Sequence, residues 1–220
     1  MTVSTIQPLH EENRPSTLDA IVGQDKCVKQ VKAMDARTGL GGRAYWIPGG
    51  SGTGKTTFAR VMGSMVADEM GVFEIDATDL SAARIRDLER QSQQRALGGR
   101  GWVFIVNEAH GLNKAAVRQL LVTLERLPGH VAWIFTTTIE GEEMLFDGCD
   151  DSSPLISRCI ELRLARRGLA DAFAQRAMEV AQREGLDGGK DLKAFKRLVQ
   201  DKRNNLRAVY CHIESGALLD

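Results

Sequence analysis

Short apolar runs alternate with longer amphipathic stretches along most of the chain. The runs have the length and composition of buried β-strands, and we predict strands at Ala44–Ile47, Val72–Asp76, Trp102–Val106, Val131–Phe135 and Cys159–Leu164. Between them, apolar residues recur at the spacing of helices that pack on one face. Alternating strands and helices of this kind predict an α/β fold with a parallel sheet.

The helical pattern also marks where the chain changes character. Helices are predicted at Leu18 to Met34 around Gly23, from Lys55 to about Met70, at Ser81–Arg95 with Ser81 as N-cap, and at Asn113–Leu127. The polar, aperiodic residues before Pro15 predict an extended arm. After about Gly168 only helices follow, at Leu169–Glu184, Asp191–Asp201 and Leu206–Leu219. We therefore divide the chain into an arm at 1–15, an α/β domain at 16–167 and a small helical domain at 168–220.

A complete phosphate-loop motif stands between the first predicted strand and the helix after it. Residues Gly49 to Thr56 read G-G-S-G-T-G-K-T, a full match to G-x-x-x-x-G-K-[ST]. The glycines let backbone N–H groups curl around nucleotide phosphates, and the helix N-terminus adds the positive end of its dipole. The flanking strand and helix disfavour the alternative, a glycine-rich turn with an incidental lysine.

The motif predicts a nucleoside triphosphate site. We expect Lys55 to reach the β- and γ-phosphates and the Thr56 hydroxyl to bind Mg²⁺. The predicted phosphate-binding residues are Gly49, Gly50, Ser51, Gly52, Thr53, Gly54, Lys55, Thr56 and Thr57.

The apolar strand Trp102–Val106 ends in Asn107 and Glu108. At this position phosphate-loop ATPases usually carry an Asp that helps to hold Mg²⁺, followed by a Glu that polarises the attacking water. Glu108 is therefore the candidate catalytic carboxylate, and Asn107 is a candidate metal-side residue. An amide accepts a hydrogen bond from metal-bound water but brings no negative charge, so weaker Mg²⁺ binding or slower turnover is an open alternative.

Composition and charge narrow the functional classes only slightly. The 29 basic and 29 acidic side chains balance, so net charge does not indicate a nucleic-acid partner. The four cysteines, Cys27, Cys149, Cys159 and Cys211, have no C-x-x-C spacing, which disfavours a zinc site or a disulfide framework. The sequence has neither a signal-peptide pattern nor a long apolar run, so we expect a cytoplasmic protein with no membrane partner.

Several further segments carry a family resemblance. Arg14–Gln24 reads R-P-S-T-L-D-A-I-V-G-Q, Leu120–Glu125 reads L-L-V-T-L-E, and Ser157-Arg158-Cys159 reads S-R-C. With these segments the chain resembles AAA+ ATPases of the clamp-loader branch, which include the ATPase core of the bacterial DNA polymerase III gamma/tau subunit and replication factor C small subunits. The resemblance spans about Arg14 to Ala217. It implies an α/β fold in which a five-stranded parallel P-loop AAA+ sheet is followed by a small C-terminal helical lid domain.

The resemblance also implies roles for individual residues. Ile21, Val22 and Gly23 would line the adenine pocket. A threonine at the end of the fourth strand would be sensor 1, which reads the γ-phosphate; we favour Thr138, with Thr137 as the alternative. Arg158 would be an arginine finger inserted into the neighbouring subunit's site, and Arg207 would be sensor 2. The implied catalytic set is Glu108, Lys55, Arg158, Thr138 and Arg207, with Thr56 and Asn107 on the metal.

Four features depart from the family pattern. The zinc-binding insertion of the gamma/tau subunit is absent, and Asn107 replaces the usual Asp. The loop Ile139–Ser153 is longer and more acidic than usual. The sequence ends at Asp220 without the collar domain that holds clamp-loader rings together, so either the ATPase domains hold a ring themselves or this is one domain of a larger product.

The resulting hypothesis is an ATP- and Mg²⁺-dependent subunit of a clamp-loader-like oligomer in DNA replication or other DNA transactions. Its expected partners are other copies or homologous AAA+ subunits through Arg158, DNA bound without sequence preference, and a sliding clamp or replication protein. Candidate DNA contacts, by helix position only, are Arg84, Arg86, Lys114 and Arg118. One alternative is a slowly hydrolysing assembly or regulatory switch. Another is a helicase-loader or branch-migration ATPase, which the S-R-C motif disfavours.

Overall fold

The computed structural model describes residues 7–94, 99–138, 140–141 and 152–219. Within these ranges, five parallel strands form one sheet in the order β2-β3-β4-β1-β5. The strands are β1 Arg43–Pro48, β2 Val72–Asp76, β3 Trp102–Asn107, β4 Val131–Thr137 and β5 Cys159–Glu161. Because the strands are parallel, the residues that follow β1, β3 and β4 all lie at one edge of the sheet, where ligands of open α/β sheets bind.

Aromatic side chains pack across the central strands. Phe73, Phe104 and Trp133 are register partners on β2, β3 and β4, and the Phe104 and Trp133 ring centroids lie 4.7 Å apart. In a neighbouring row Trp46 of β1 faces Phe135 of β4 at 5.8 Å. These rings form part of a buried core, so the ends of the strands stand on a rigid base.

Helices connect the strands and make up the C-terminal part. Their bounds are α1 Leu9–Glu12, α2 Asp25–Thr38, α3 Lys55–Val66, α4 Ala82–Gln91, α5 Lys114–Leu124, α6 Ser152–Ser157, α7 Ala170–Glu184, α8 Leu192–Asp201 and α9 Leu206–Glu214. Ser81 caps α4 as predicted, since its side chain accepts a hydrogen bond from the Arg84 N–H. Asn113, Asp191 and Asn205 cap α5, α8 and α9 in the same way.

Two local predictions differ from the structure. The predicted helix across Gly23 is instead a 3-10 turn at Leu18–Ala20 followed by α2, because Gly23 has a φ of 74° that no helix accommodates. The predicted extended arm contains the short helix α1. Leu9 is buried there, and its N–H donates to Glu214 of α9, so tertiary contacts hold this polar stretch in a turn of helix.

The chain forms two compact units. The helical unit comprises Met1–Asp25, Gly50–Gly54 and Ala165–Asp220, and the sheet unit comprises Lys26–Gly49 and Lys55–Leu164. Leu9 and Val22 belong to the apolar core of the helical unit together with α7, α8 and α9, which explains why N-terminal residues group with the C-terminal helices. The division at 16 and 168 follows sequence order only and stays a prediction.

Candidate functional site

The phosphate-loop motif contributes residues to both units. Gly50–Gly54 belongs to the helical unit, whereas Gly49, Lys55 and Thr56 belong to the sheet unit. We therefore describe each part of the candidate site within its own unit.

In the helical unit, Gly50–Gly54 forms a tight turn. The backbone N–H and the hydroxyl of Thr53 both donate to the Gly50 carbonyl, at 3.4 and 2.8 Å. Gly52 and Gly54 have φ values of 71° and 94°, which favour glycine over any residue with a Cβ. The glycines of the motif are thus required by the backbone path of a loop that can turn its N–H groups toward an anion.

Helix α9 begins against this turn. The Leu206 N–H donates to the Gly52 carbonyl at 3.3 Å. A Cβ on Gly52 would stand 1.9 Å from Oδ1 of Asn205, the N-cap of α9. Arg207, the predicted sensor 2, is the second residue of α9 and is exposed. The fold therefore brings Arg207 to the same part of the helical unit as the phosphate-loop glycines.

The predicted adenine-contacting residues also lie in the helical unit. Ile21, Val22 and Gly23 are half-buried, and Val22 packs on the helical core. A Cβ on Gly23 would stand 2.8 Å from Cδ2 of Leu169. Gln24 is buried and pairs with both backbone groups of Ala165, which fixes this segment in place.

In the sheet unit, α3 begins with Lys55 and Thr56. Lys55 is 8% exposed. The Thr56 hydroxyl donates to Oδ1 of Asn107 at 3.3 Å, so the start of α3 is tied to the end of β3. These are the two residues predicted for the metal, and the structure brings them into contact.

Asn107 is the centre of a polar network. Its Oδ1 also accepts from the Thr136 hydroxyl at 3.0 Å, and its Nδ2 donates to Oε1 of Glu74 at 2.6 Å. The other carboxylate oxygen of Glu74 accepts from Nε of Arg60 on α3 at 2.6 Å. The network thus connects α3 with the ends of β2, β3 and β4.

Glu108 follows directly and has a backbone conformation unusual for its residue type. Its φ and ψ are both 50°, in the left-handed region. Its carboxylate lies 3.5 Å from Nδ1 of His110, and the same nitrogen is 3.2 Å from the Thr137 hydroxyl. The Thr137 hydroxyl also donates to the Thr138 carbonyl.

The three threonines at the end of β4 have different surroundings. Thr136 is buried and bonds to Asn107, whereas Thr137 is buried beside His110. Thr138 is half-buried, and its hydroxyl accepts from the Gly141 N–H at 3.0 Å. Strand alternation puts Thr136 and Thr137 on opposite faces of β4, which ends at Thr137, so it does not place Thr138. The choice between Thr137 and Thr138 as sensor 1 remains a prediction.

Arg158 stands at the turn between α6 and β5. Its guanidinium donates to Oε1 of Glu125 at 2.7 Å and to the Pro154 carbonyl at 3.0 Å. Burial raises the pKa of the neighbouring Cys159 thiol to about 12, which disfavours its thiolate form. Cys159 anchors the S-R-C segment, and its side chain donates to the Leu155 carbonyl.

Helix α6 covers a stretch for which the sequence pattern predicts neither helix nor strand.

The remaining candidates are less informative. Arg86 donates to Gln119 across α4 and α5, and the other proposed DNA contacts lie on the same two helices.

Ile139 and residues 142–151, which include most of the acidic loop and Cys149, lie outside the described residues. Among the helices that the structure describes, none has the length and apolar character that a bilayer crossing requires.

The chemistry of the donor set fits Mg²⁺ bound together with a nucleotide. Thr56 and Asn107 offer oxygen atoms, which this hard cation prefers. The described residues contain no group of three or more His, Cys, Asp or Glu side chains that could hold a metal alone. A nucleotide-bound Mg²⁺ needs no such group, because phosphates and water supply most of its ligands.

Comparisons with known families agree with this geometry. Residues 46–147 match the family model of the ATPase family associated with various cellular activities (AAA). The fold is that of an AAA+ ATPase core. The match begins in β1 and includes the phosphate loop and the β3 end.

The curated relatives include bacterial DNA polymerase III subunits. The DNA polymerase III subunit gamma/tau of Mycoplasma pneumoniae is 27% identical over 200 residues, which are 81% of this chain and 28% of that protein. The subunit of the same name from Mycobacterium tuberculosis is 31% identical over 163 residues, which are 62% of this chain and 28% of that protein. The chain thus spans less than a third of the length of these relatives.

Solved structures share the fold. The RuvB Holliday junction branch migration motor of Thermotoga maritima has a TM-score of 0.69 at 21% identity, over 91% of this chain and 64% of that chain. A DNA polymerase III gamma subunit-related protein from Thermotoga maritima has a TM-score of 0.58 at 14% identity, over 84% and 57%. At these identities the likeness concerns the fold alone. Together the findings confirm the predicted fold class and the resemblance to a clamp-loader AAA+ core.

Three residues of the site were missed by sequence reasoning. Glu74, Thr136 and His110 each bond to a predicted site residue or its neighbour. A signal for Glu74 existed, because it lies near the end of the strand that pairs with β3, two positions before the partner of Asn107. His110 lies two residues after Glu108, so the sequence put it close to Glu108 but did not show that its side chain turns toward the Glu108 carboxylate.

Proposed function

We propose that this chain binds ATP with Mg²⁺ and hydrolyses it as a subunit of a clamp-loader-like oligomer that acts on DNA. The observation that carries the proposal is the meeting of Thr56, Asn107 and Thr136 at the carboxyl edge of the sheet, next to the strained Glu108. The names of the curated relatives support a role in replication. The partners proposed from the resemblance are neighbouring AAA+ subunits, DNA bound through its phosphates, and a sliding clamp or replication protein.

The proposed mechanism assigns one task to each group. Ile21, Val22 and Gly23 contact the adenine, and the glycine turn with Lys55 holds the phosphates. Thr56 and Asn107 would hold Mg²⁺, which would supply neutralisation of the negative charge on the phosphates.

The second half of the mechanism concerns the attack on the γ-phosphate. Glu108 accepts a hydrogen bond from the attacking water and orients it. Thr138 or Thr137 and Arg207 contact the γ-phosphate. Arg158 of a neighbouring subunit stabilises the charge that develops during transfer, because a guanidinium is always charged and binds phosphate oxygens in a bidentate way.

The test is a mixing experiment with two inactive variants. Lys55→Ala should lose nucleotide binding, and Arg158→Ala should bind ATP but hydrolyse it about 10³-fold more slowly. In an equal mixture, about a quarter of head-to-tail sites combine an intact Lys55 with an intact Arg158, so ATPase activity should return to that fraction. Steady-state phosphate release measures it.

The control is Arg126→Ala, which removes an exposed arginine adjoining Glu125 and should keep its activity. If the mixture stays inactive while sizing runs with an ATP analogue show a monomer, Arg158 does not act in a neighbour's site.

A second candidate function is a slowly hydrolysing, nucleotide-dependent switch. The observation that favours it is Asn107, which supplies no charge to the metal side. A helicase-loader or branch-migration role stays an alternative, but the likeness to RuvB is a likeness of fold and does not favour that role.

A further inference from the structure

Asn107 differs from the aspartate it replaces in symmetry as well as in charge. An ionised aspartate offers two equivalent acceptor oxygens, so either can face a cation. An asparagine offers one oxygen and one NH₂ group, and the NH₂ can only donate. If the proposed Mg²⁺ site is correct, Asn107 is useful to it in one of its two amide orientations only.

The hydrogen bonds around Asn107 select that orientation. Nδ2 lies 2.6 Å from Oε1 of Glu74, and an ionised carboxylate only accepts, so the NH₂ group must face it. Oδ1 is thereby turned to the opposite side, where the hydroxyls of Thr56 and Thr136 donate to it at 3.3 and 3.0 Å. Thr56 is the predicted metal-binding hydroxyl, so the amide oxygen faces the metal side.

Glu74 is itself held in position. Nε of Arg60 donates to its second oxygen at 2.6 Å, and Arg60 lies on α3, the helix that begins with Lys55 and Thr56. The Glu74 and Arg60 side chains are 30% and 44% exposed, so their attraction is screened by solvent and adds little stability. Its effect is geometric, because it fixes the carboxylate between α3 and the end of β3.

We infer that Glu74 is a positioning residue that orients the Asn107 amide, so that its oxygen and not its NH₂ group faces Thr56 and Mg²⁺. Without Glu74 the amide can rotate by half a turn, and the NH₂ group then meets the cation side, where it repels the metal. Asn can take the place of Asp at position 107 because Glu74 on the neighbouring strand β2 accepts the hydrogen bond from its NH₂ group. This inference rests on the proposed function.

The inference makes a prediction that a structural role for Glu74 would not make. Glu74→Ala should weaken Mg²⁺-dependent nucleotide binding when residue 107 is Asn. The same change should have little effect in an Asn107→Asp background, because a carboxylate needs no orientation. A double-mutant cycle over positions 74 and 107 isolates this coupling.

The experiment measures binding of a fluorescent ATP analogue by the full chain, once with Mg²⁺ and once with EDTA. For Glu74→Ala we expect the Mg²⁺ concentration at half effect to rise about tenfold, in the range found when a group that orients a metal ligand is removed. Binding in EDTA should be unchanged. With Asn107→Asp present, Glu74→Ala should change the Mg²⁺ requirement less than about twofold.

Three controls make the result interpretable. Glu69→Ala, an exposed residue ahead of β2, repeats the charge change and should bind Mg²⁺ with the analogue as the wild type does. Glu74→Met keeps side-chain volume without an acceptor and should reproduce the loss seen with Glu74→Ala. Melting temperatures identify any variant that fails to fold.

Each outcome decides a separate question. An equal loss in the wild-type and Asn107→Asp backgrounds, or a loss that persists in EDTA, overturns the inference and assigns Glu74 a purely structural role. A wild-type chain that binds no analogue under either condition contradicts the proposed function instead.

Discussion

At the scale of single residues, Glu108 combines a strained backbone with a restrained side chain. A left-handed conformation costs a residue with a Cβ about 1 to 2 kcal/mol, and such costs concentrate at functional sites. The strain turns the chain sharply after β3 and brings His110 back toward the Glu108 carboxylate. His110 in turn reaches Thr137 at the end of β4. Glu108 is thus linked through one imidazole to the strand that carries the predicted sensor.

We therefore expect His110 to position Glu108 so that its carboxylate orients the attacking water. His110→Ala should lower kcat by about 10- to 100-fold, because a carboxylate displaced by about 1 Å orients water poorly, while the affinity for ATP stays within about twofold. Single-turnover hydrolysis beside nucleotide titration separates the two quantities.

The matched control is His130→Ala. His130 bonds to the Ser92 carbonyl in the same unit and is not itself a predicted site residue. If His110→Ala weakens binding as strongly as hydrolysis, His110 supports the fold of the edge and does not position Glu108.

The sequence identified part of this residue-scale picture. Lys55, Thr56 and Glu108 follow from motifs in which residue type and spacing are fixed by phosphate chemistry. Glu74 and Thr136 could not be recognised as partners of Asn107, because hydrogen bonds across strands depend on register, and register is not visible in a single sequence.

At the scale of elements, the contact between Gly52 and the N-terminus of α9 stands out. The space is too small for a Cβ, and the backbone is in a left-handed region. The same turn must present its N–H groups to phosphate. A change at Gly52 should therefore affect both the packing of α9 and the binding of nucleotide.

We expect Gly52→Ala to lower the melting temperature of the chain and to weaken nucleotide binding at least tenfold. The added methyl group forces Asn205 out of its capping position, at about 1 kcal/mol, in addition to a backbone cost of about 1 to 2 kcal/mol. Thermal melting and nucleotide titration measure the two effects.

Gly39→Ala is a matched control, because Gly39 has the same φ of 71° but nothing within 4 Å of a Cβ. It should show the backbone cost alone and bind nucleotide normally. Equal melting temperatures for the two variants would mean that the Asn205 contact contributes nothing.

The pattern of elements was largely predictable. All five strands follow from apolar runs, and the cap of α4 follows from its capping residue. The misplaced helix start before α2 and the short helix α1 could not be predicted, since Gly23 and Leu9 respond to the packing of distant residues.

At the scale of the whole molecule, the question is whether the chain is a motor or a slow switch. If it is a DNA-acting motor, wild-type ATP turnover should rise with primed DNA. This stimulation should fade between about 50 and 200 mM salt, because phosphate contacts carry it. Asn107→Asp should change turnover less than about tenfold, since the oriented amide already supplies an acceptor.

Steady-state ATPase assays with and without primed DNA test this prediction on the wild type and on Asn107→Asp. ATP turnover that does not change with DNA, together with a large rise in turnover found only in Asn107→Asp, would favour the switch. A fully paired duplex of equal length is the control for the effect of the primed structure.

The aromatic side chains of the sheet also provide a fluorescence signal for following unfolding. All three tryptophans of the sequence, Trp46, Trp102 and Trp133, belong to the sheet unit. The helical unit contains none, so tryptophan emission reports on the sheet unit directly. Emission and far-UV circular dichroism will give one melting curve only if the two units unfold together. The protein therefore carries an intrinsic probe that separates the stability of its sheet from that of its helices.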